Sequence, residues 1–182
     1  RDIGSLILII GPMFSGKTET LIRLIRRARY ANQDVLLFKP AQDTRQKHIC
    51  SRNGHEEEAI EIKSTRDIVD HLRPGVAVVG IEEIQFMDED LIEVVLELCK
   101  NGIRVLACGL DRDYLGEPFA QTSKLLGYAD KRHTLTAICM VNGCQNEAGY
   151  THRVSGGAER IVVGDDAYEA HCKQHFAPNR DL

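Results

Sequence analysis

Gly11-Pro12-Met13-Phe14-Ser15-Gly16-Lys17-Thr18 places two glycines, a lysine and a hydroxyl in the order G-x-x-x-x-G-K-[ST]. The glycines free the backbone to curl, so that successive N–H groups face one point and form an anion nest. A helix beginning right after the loop adds the positive end of its dipole. Lys17 can then reach the β- and γ-phosphates, and the Thr18 hydroxyl can ligate Mg²⁺. The predicted ligand is a nucleoside triphosphate. A second group with chemistry is Glu82-Glu83, which closes the apolar run Val76-Ala77-Val78-Val79-Gly80-Ile81. An acid there can hold the water shell of Mg²⁺, and a neighbouring acid can accept a nucleophile's proton. The third group is Cys139-x₄-Cys144 with Cys172-x₂-His175, two close pairs separated by residues 145–171. Each pair can close a turn around a tetrahedral Zn²⁺ in a structural Cys₃His site. That stretch has few apolar residues of its own, and a metal supplies the missing stabilisation. His152 and His171 stand close by as substitute ligands.

Other side chains read less sharply. Arg23, Arg26, Arg27 and Arg29 decorate the segment after the glycine loop and read as the solvated face of an amphipathic helix. Asp43-Thr44-Arg45 follows an apolar run and so points to the same rim as the loop. Tyr114 and Phe119 flank Gly116 and Pro118. Aromatics in such a loop either stack on a nucleobase or pin the loop to the body. Tyr150 and Tyr168 carry the same two readings.

These residues need strands and helices to hold them. Apolar runs predict strands over 6–10, 35–39, 60–63, 76–81, 103–108 and 134–138. Helical spacing predicts helices over 17–31, 65–73, 88–101 and 120–129. The helix 88–101 has Asp88 as a cap, Leu91, Val94, Val95 and Leu98 on one face, and Asn101-Gly102 at its end. Alternating β and α elements with a strand apolar throughout imply a parallel sheet wrapped by helices. Ligands gather at the carboxyl ends of such strands. After about residue 139 helical spacing stops and Gly, Cys and His concentrate. Short strands around 148–154 and 160–163 are expected there, in a small second module.

Hydrophobic residues make up 43% and charged residues 27% of 182, as in a soluble globular protein of one domain plus an appendage. The net charge of −4 offers no basic footprint for a nucleic-acid polymer. No apolar run approaches the roughly 20 residues of a membrane span. Leu6 to Ile10 runs straight into the glycine loop and so is not a signal-peptide core. Arg1 stands where an initiator Met is expected, as in a trimmed or partial chain. Of the six cysteines, Cys99 and Cys108 lie in apolar segments and read as buried thiols of an intracellular protein.

Taken in order, these stretches resemble the cytosolic type II thymidine kinases. The resemblance covers nearly the whole chain. It rests on the Gly11–Thr18 loop, on Phe38-Lys39-Pro40-Ala41-Gln42-Asp43-Thr44-Arg45 and on Ile81-Glu82-Glu83-Ile84-Gln85-Phe86. It continues through Gly109-Leu110-Asp111 to Pro118-Phe119, then Leu135-Thr136-Ala137-Ile138-Cys139 and Tyr168 to His175. It implies a P-loop, RecA-like α/β domain over 1–138 and a small zinc-binding domain over 139–182, whose lasso-like loop covers the nucleoside. It further implies ATP-dependent 5′-phosphorylation of thymidine, often also of deoxyuridine, in cytoplasmic nucleotide salvage. Inhibition by dTTP at the acceptor site and a homotetramer belong to the same picture.

Residue by residue, the resemblance gives Lys17 and Thr18 the phosphates and Mg²⁺, and makes Glu83 the base that takes the 5′-hydroxyl proton. Asp43 and Arg45 match residues beside the phosphates and the acceptor. Met13, Leu110, Tyr114 and Phe119 match positions around the nucleoside, and Thr151 and Tyr168 match lasso positions touching base and sugar. The chain departs from the family pattern at several points. Glu82 stands where Asp is usual, and its extra methylene pushes the carboxylate about 1.5 Å further. Tyr114 replaces a usual Phe. The first cysteine pair is C-x₄-C rather than C-x₂-C, His175 replaces a frequent Cys, and the run before Tyr168 carries the single glycine Gly164 and is a residue short. The contrasting readings are a RecA-type ATPase acting on a nucleic-acid or protein partner, and a weakly catalytic nucleotide sensor. The acidic charge and the lack of a second RecA-like lobe count against the first.

Overall fold

Residues 4–41, 48–50, 54–155 and 165–178 are described by the computed structural model. The strands are β1 (Leu6–Ile10), β2 (Asp34–Pro40), β3 (His48–Cys50), β4 (Glu56–Glu58), β5 (Ile60–Ile62), β6 (Val76–Ile81), β7 (Arg104–Gly109), β8 (Lys131–Thr134), β9 (Ala137–Ile138), β10 (Glu147–Ala148), β11 (Tyr150–Arg153) and β12 (Tyr168–His171). The helices are α1 (Lys17–Tyr30), α2 (Asp67–Asp70), α3 (Leu91–Lys100) and α4 (Ala120–Tyr128). Six strands form one sheet in the order β5-β2-β6-β7-β1-β8, with every neighbouring pair parallel.

Strand alternation splits the core into two layers. Leu6, Leu8, Ile10, Phe38, Val79, Ile81 and Val105 face Leu91, Val94, Val95 and Leu98 of α3 and Leu125 of α4. Ile9, Leu37, Val78, Leu106 and Cys108 face Leu21, Ile22, Ile25 and Ala28 of α1. Each such leucine, isoleucine, valine or phenylalanine side chain, fully buried, contributes about 1.5–3 kcal/mol. Gly80 sets how closely α1 can lie: a Cβ there would sit 2.7 Å from Leu37 Cδ1 and 3.1 Å from Ile25 Cδ1. With α1 on one face, α3 and α4 on the other, and all strands parallel, the carboxyl ends of β1, β2, β6 and β7 meet on one rim.

Several elements differ from expectation. The run 134–138 is not one strand. Lys131–Thr134 runs parallel to β1 as an edge, and Ala137–Ile138 pairs antiparallel with β10 in a separate ribbon. The edge strand is polar because its side chains meet solvent, so no apolar run marks it. The helix expected over 65–73 is α2, a single turn followed by i→i−3 bonds from His71 and Leu72. Pro74 disfavours helix at the residue before it and stops the segment there. Helix α3 starts at Leu91 rather than Asp88, because the Asp88 carboxylate accepts from the N–H groups of Thr65 (2.9 Å) and Asp90 (3.1 Å) and ties α2 to the loop instead. The β3–β4 hairpin was not anticipated. In the last part of the chain, β11 pairs antiparallel with β12. The strand expected over 160–163 and the short run around Gly164 lie outside the described residues.

Candidate active site

The phosphate loop joins β1 to α1. Gly16 takes φ 82° at the helix N-cap, a left-handed conformation open to glycine at little cost. Gly11 is needed for space: a Cβ there would fall 2.5 Å from the Leu135 carbonyl oxygen and 2.8 Å from Ser15 Oγ. The Ser15 hydroxyl donates to the Pro12 carbonyl at 2.7 Å. The buried Lys17 ammonium donates to the same carbonyl at 2.8 Å. The loop thus folds over its own lysine, directly ahead of the N-terminal turn of α1.

Across the rim, the Thr18 hydroxyl donates to Glu82 Oε1 at 3.2 Å, and the Cys108 thiol donates to that oxygen at 3.7 Å. Glu82 is 4% exposed. Burial, reinforced by the charge of Glu83, pushes its carboxyl up to about 8, against the pull of Lys17 and Thr18. Burial and the Glu82 charge likewise raise Cys108 well above the ordinary thiol range, so it stays a donor. Glu82 Oε2 is buried with no hydrogen-bond partner among the described residues. An orphaned carboxylate oxygen beside a phosphate-loop hydroxyl fits a divalent cation, with Thr18 and Glu82 as the residues that would hold it.

Glu83 lies one residue on, in the left-handed region at φ 54° and ψ 45°. That conformation costs a non-glycine residue about 1–2 kcal/mol and turns the chain sharply off the end of β6. A 3₁₀ turn follows over Ile84–Phe86. The Gln85 amide donates to Glu83 Oε2, and its Oε1 accepts from the Leu110 N–H at 3.0 Å.

Facing the loop is the ribbon β11–β12. Thr151 is buried, and its Oγ1 accepts from the Met13 backbone N–H at 3.0 Å. Arg153 is fully buried. Its guanidinium carbon lies 3.7 Å from the centroid of the Tyr114 ring and 5.5 Å from that of Tyr168, and Nη2 donates to the Tyr168 hydroxyl at 3.2 Å. A buried cation over aromatic faces recovers part of its lost hydration. The alternate positions of β11 look the other way. Tyr150 stacks on Phe176 at 4.4 Å with Arg112 4.5 Å over its ring, so it pins the loop to the body. Tyr114 sits in a loop closed by the buried Asp113, whose carboxylate accepts from the N–H groups of Leu115 and Glu117. Phe119 is buried at the N-cap of α4, and its N–H donates to the Asp111 carbonyl at 3.0 Å.

Cys139, Cys144, Cys172 and His175 converge, with all ligand atoms within 4.8 Å of one another. His175 Nδ1 lies 3.6 Å from Cys139 Sγ and 3.4 Å from Cys172 Sγ. Zinc–ligand bonds of about 2.0–2.3 Å around a tetrahedron give edges of this size. Burial opposes the thiolate of Cys172, but the N–H groups of His175 and Gln174 and the Asn146 amide outweigh it and bring the thiol down to about 6. A thiolate at neutral pH is what the metal needs. His152 and His171 stand apart from the cluster: they stack on each other at 4.3 Å, and His171 Nε2 contacts Glu169.

The rim therefore gathers Met13, Lys17, Thr18, Glu82, Glu83 and Leu110. Met13 also bridges to Thr151, and Arg153 joins Tyr114 to Tyr168. Asp43 and Arg45 lie outside the described residues. Gln85, Cys108 and Arg153 were missed from the sequence. A polar residue amid Ile84-Gln85-Phe86 was a signal for the first, whereas an arginine in a short strand reads as exposed and gave none for the last.

The thymidine kinase family model matches residues 4–176. A thymidine kinase from Mycoplasmoides gallisepticum (strain R(low / passage 15 / clone 2)) is 42% identical over 185 residues, covering 96% of this chain and 82% of that protein. Among solved structures, the pilus retraction motor PilT with bound ADP aligns at TM-score 0.49 and 17% identity, over 81% of this chain and 46% of the motor. That likeness is too weak to bear on function, whereas the family match favours a nucleoside kinase over a partner-directed ATPase. No described helix is long and apolar enough to cross a membrane. The match spans the phosphate loop, the paired glutamates and the cysteine–histidine cluster alike, and the chain belongs to the thymidine kinase family.

Proposed function

We propose that this chain transfers the γ-phosphoryl group of ATP to the 5′-hydroxyl of thymidine, and also accepts deoxyuridine. Glu83 takes the hydroxyl proton, the 5′-oxygen bonds to the γ-phosphorus, and the bond to the β-phosphate oxygen breaks to leave ADP. The observation that carries this reading is the adjacency of a strained, half-buried glutamate to the Thr18–Glu82 pair at one strand end. Lys17 and the loop N–H groups hold the phosphates and stabilise charge on the transferring group. Thr18 and Glu82 would hold Mg²⁺, which when bound neutralises the β- and γ-oxygens. Asp43 and Arg45 complete the donor side by family resemblance.

On the acceptor side, Met13, Leu110, Tyr114, Phe119, Thr151 and Tyr168 enclose the nucleoside. Cys139, Cys144, Cys172 and His175 would hold a structural Zn²⁺, since four protein ligands leave no open position. The division at residue 138, inhibition by dTTP at the acceptor site, a homotetramer and a cytoplasmic location complete the proposal.

A mass-resolved phosphorylation assay across the common deoxynucleosides tests it. Thymidine monophosphate should form only with ATP and thymidine together. ATP turnover independent of nucleoside, or driven by a polymer, refutes it.

A further inference from the structure

The Gln85 side chain is held at both ends. The Leu110 N–H can only donate, so the oxygen it meets at 3.0 Å must be Oε1, and the amide nitrogen must face Glu83. Gln85 is 8% exposed, and its neighbours leave it no slack. A Cβ at Gly109 would lie 2.5 Å from Gln85 Oε1 and 2.6 Å from Ile84 Cγ1, so bare backbone is required behind the amide. The Leu110 carbonyl in turn accepts from the Thr122 hydroxyl of α4 at 2.8 Å, which anchors the far end of the chain of bonds. At the near end, the Phe86 N–H donates to the Glu83 carbonyl at 3.0 Å and closes the turn beneath the carboxylate. A glutamate has three rotatable side-chain bonds, and one donor fixed on a helix-anchored backbone selects among its rotamers.

We propose that Gln85 is a positioning residue for phosphoryl transfer: by donating to Oε2 of Glu83 it fixes which carboxylate oxygen is presented to the 5′-hydroxyl, and it ties that aim to the backbone of Leu110. The proposal rests on the reading of Glu83 as the base. A misplacement of about 1 Å at a reacting group can cost about 10²-fold in rate, so an aiming bond leaves its mark on kcat rather than on binding.

The test is steady-state kinetics on the full chain with Gln85→Glu, Gln85→Leu, Glu83→Gln and the Glu83→Gln/Gln85→Glu double variant. Gln85→Glu keeps the length and an acceptor for Leu110 but removes the amide donor. Its kcat should fall roughly 10- to 100-fold, with thymidine and ATP KM within about threefold of the parent. Gln85→Leu, which adds no charge, should lose at least as much and guards against a folding defect peculiar to the acid. In the Glu83→Gln background the second change should cost kcat nothing further, because it acts through a base already removed. Losses that add in the double variant, or KM values that rise together while kcat holds, mean that Gln85 merely braces the turn, and the proposal fails. If Glu83→Gln alone keeps kcat, the base assignment is wrong and this proposal falls with it. If Glu83→Gln is crippled and Gln85→Glu is not, the base stands and only the positioning role is lost.

Discussion

The backbone N–H of Met13, inside the phosphate loop, donates to the side chain of Thr151, on the strand that faces the loop. One hydrogen bond thus joins the loop proposed to hold ATP to the ribbon proposed to hold the nucleoside.

Thr151→Val keeps the shape and removes the acceptor, leaving the half-buried Met13 N–H without this partner. If this bond communicates occupancy, a non-hydrolysable ATP analogue tightens thymidine binding in the parent and does so much less in the variant, because coupling is reciprocal. Calorimetry with each ligand, alone and with the other present, reads the ratio directly. An unchanged ratio would show that the bond is only a brace.

Glu83→Gln keeps volume and removes basicity. Its kcat should drop by roughly 10²–10⁴ with nucleotide affinity kept. Turnover within a few-fold of the parent would remove Glu83 from the role of base.

Lys17→Ala should abolish turnover and weaken ATP, since Lys17 is the cation held inside the loop. Unchanged ATP affinity and rate would contradict the reading of the loop.

Glu82 makes a prediction about pH. Its folded value of about 8 lies above the ordinary 4.5, so the native chain binds more protons than the unfolded chain between those values. Stability of the metal- and nucleotide-free protein should therefore fall as pH rises through that window, by at most about 1.4 kcal/mol per pH unit. Thermal melts across the window should show the slope, and Glu82→Gln should flatten it while suppressing activity. A parent melt that is level with pH contradicts the buried-acid account. Glu82→Asp shortens the reach toward Thr18 and should keep activity or raise it, as a shorter acid acting through water would.

The cysteine–histidine cluster predicts one zinc per chain by elemental analysis of protein never exposed to chelator. Cys172→Ser should raise the thymidine KM more than the ATP KM, because Cys172 directly follows β12 and helps fix the ribbon that carries Thr151 and Tyr168. Equal losses of both ligands would indicate general unfolding.

What could be read from the sequence was what is local. The phosphate loop declares itself in eight adjacent residues, and the apolar strand before Glu82 marks the rim. The helix expected over 65–73 does end before Pro74, yet only Asp67–Asp70 close as α-helix, because the flanking N–H groups bond three residues back instead. Polar Lys131-Arg132-His133-Thr134 hid a sheet strand because its partner is β1, far away in sequence. Arg153 and Gln85 gain their meaning only from Tyr114, Tyr168 and Leu110, which no local spacing brings to them. The sheet order, too, is a matter of long-range pairing and was not legible.

The absent side chain at residue 109 has an evolutionary corollary. A methyl group there would meet Gln85 Oε1 at 2.5 Å and Ile84 Cγ1 at 2.6 Å, so residue 109 cannot gain a side chain while both of those stand. Among descendants of this architecture a bulkier residue at 109 should be inherited only with smaller side chains at both 84 and 85. The three positions form a covarying signature, by which lineages that have abandoned this way of holding Glu83 can be told from those that keep it.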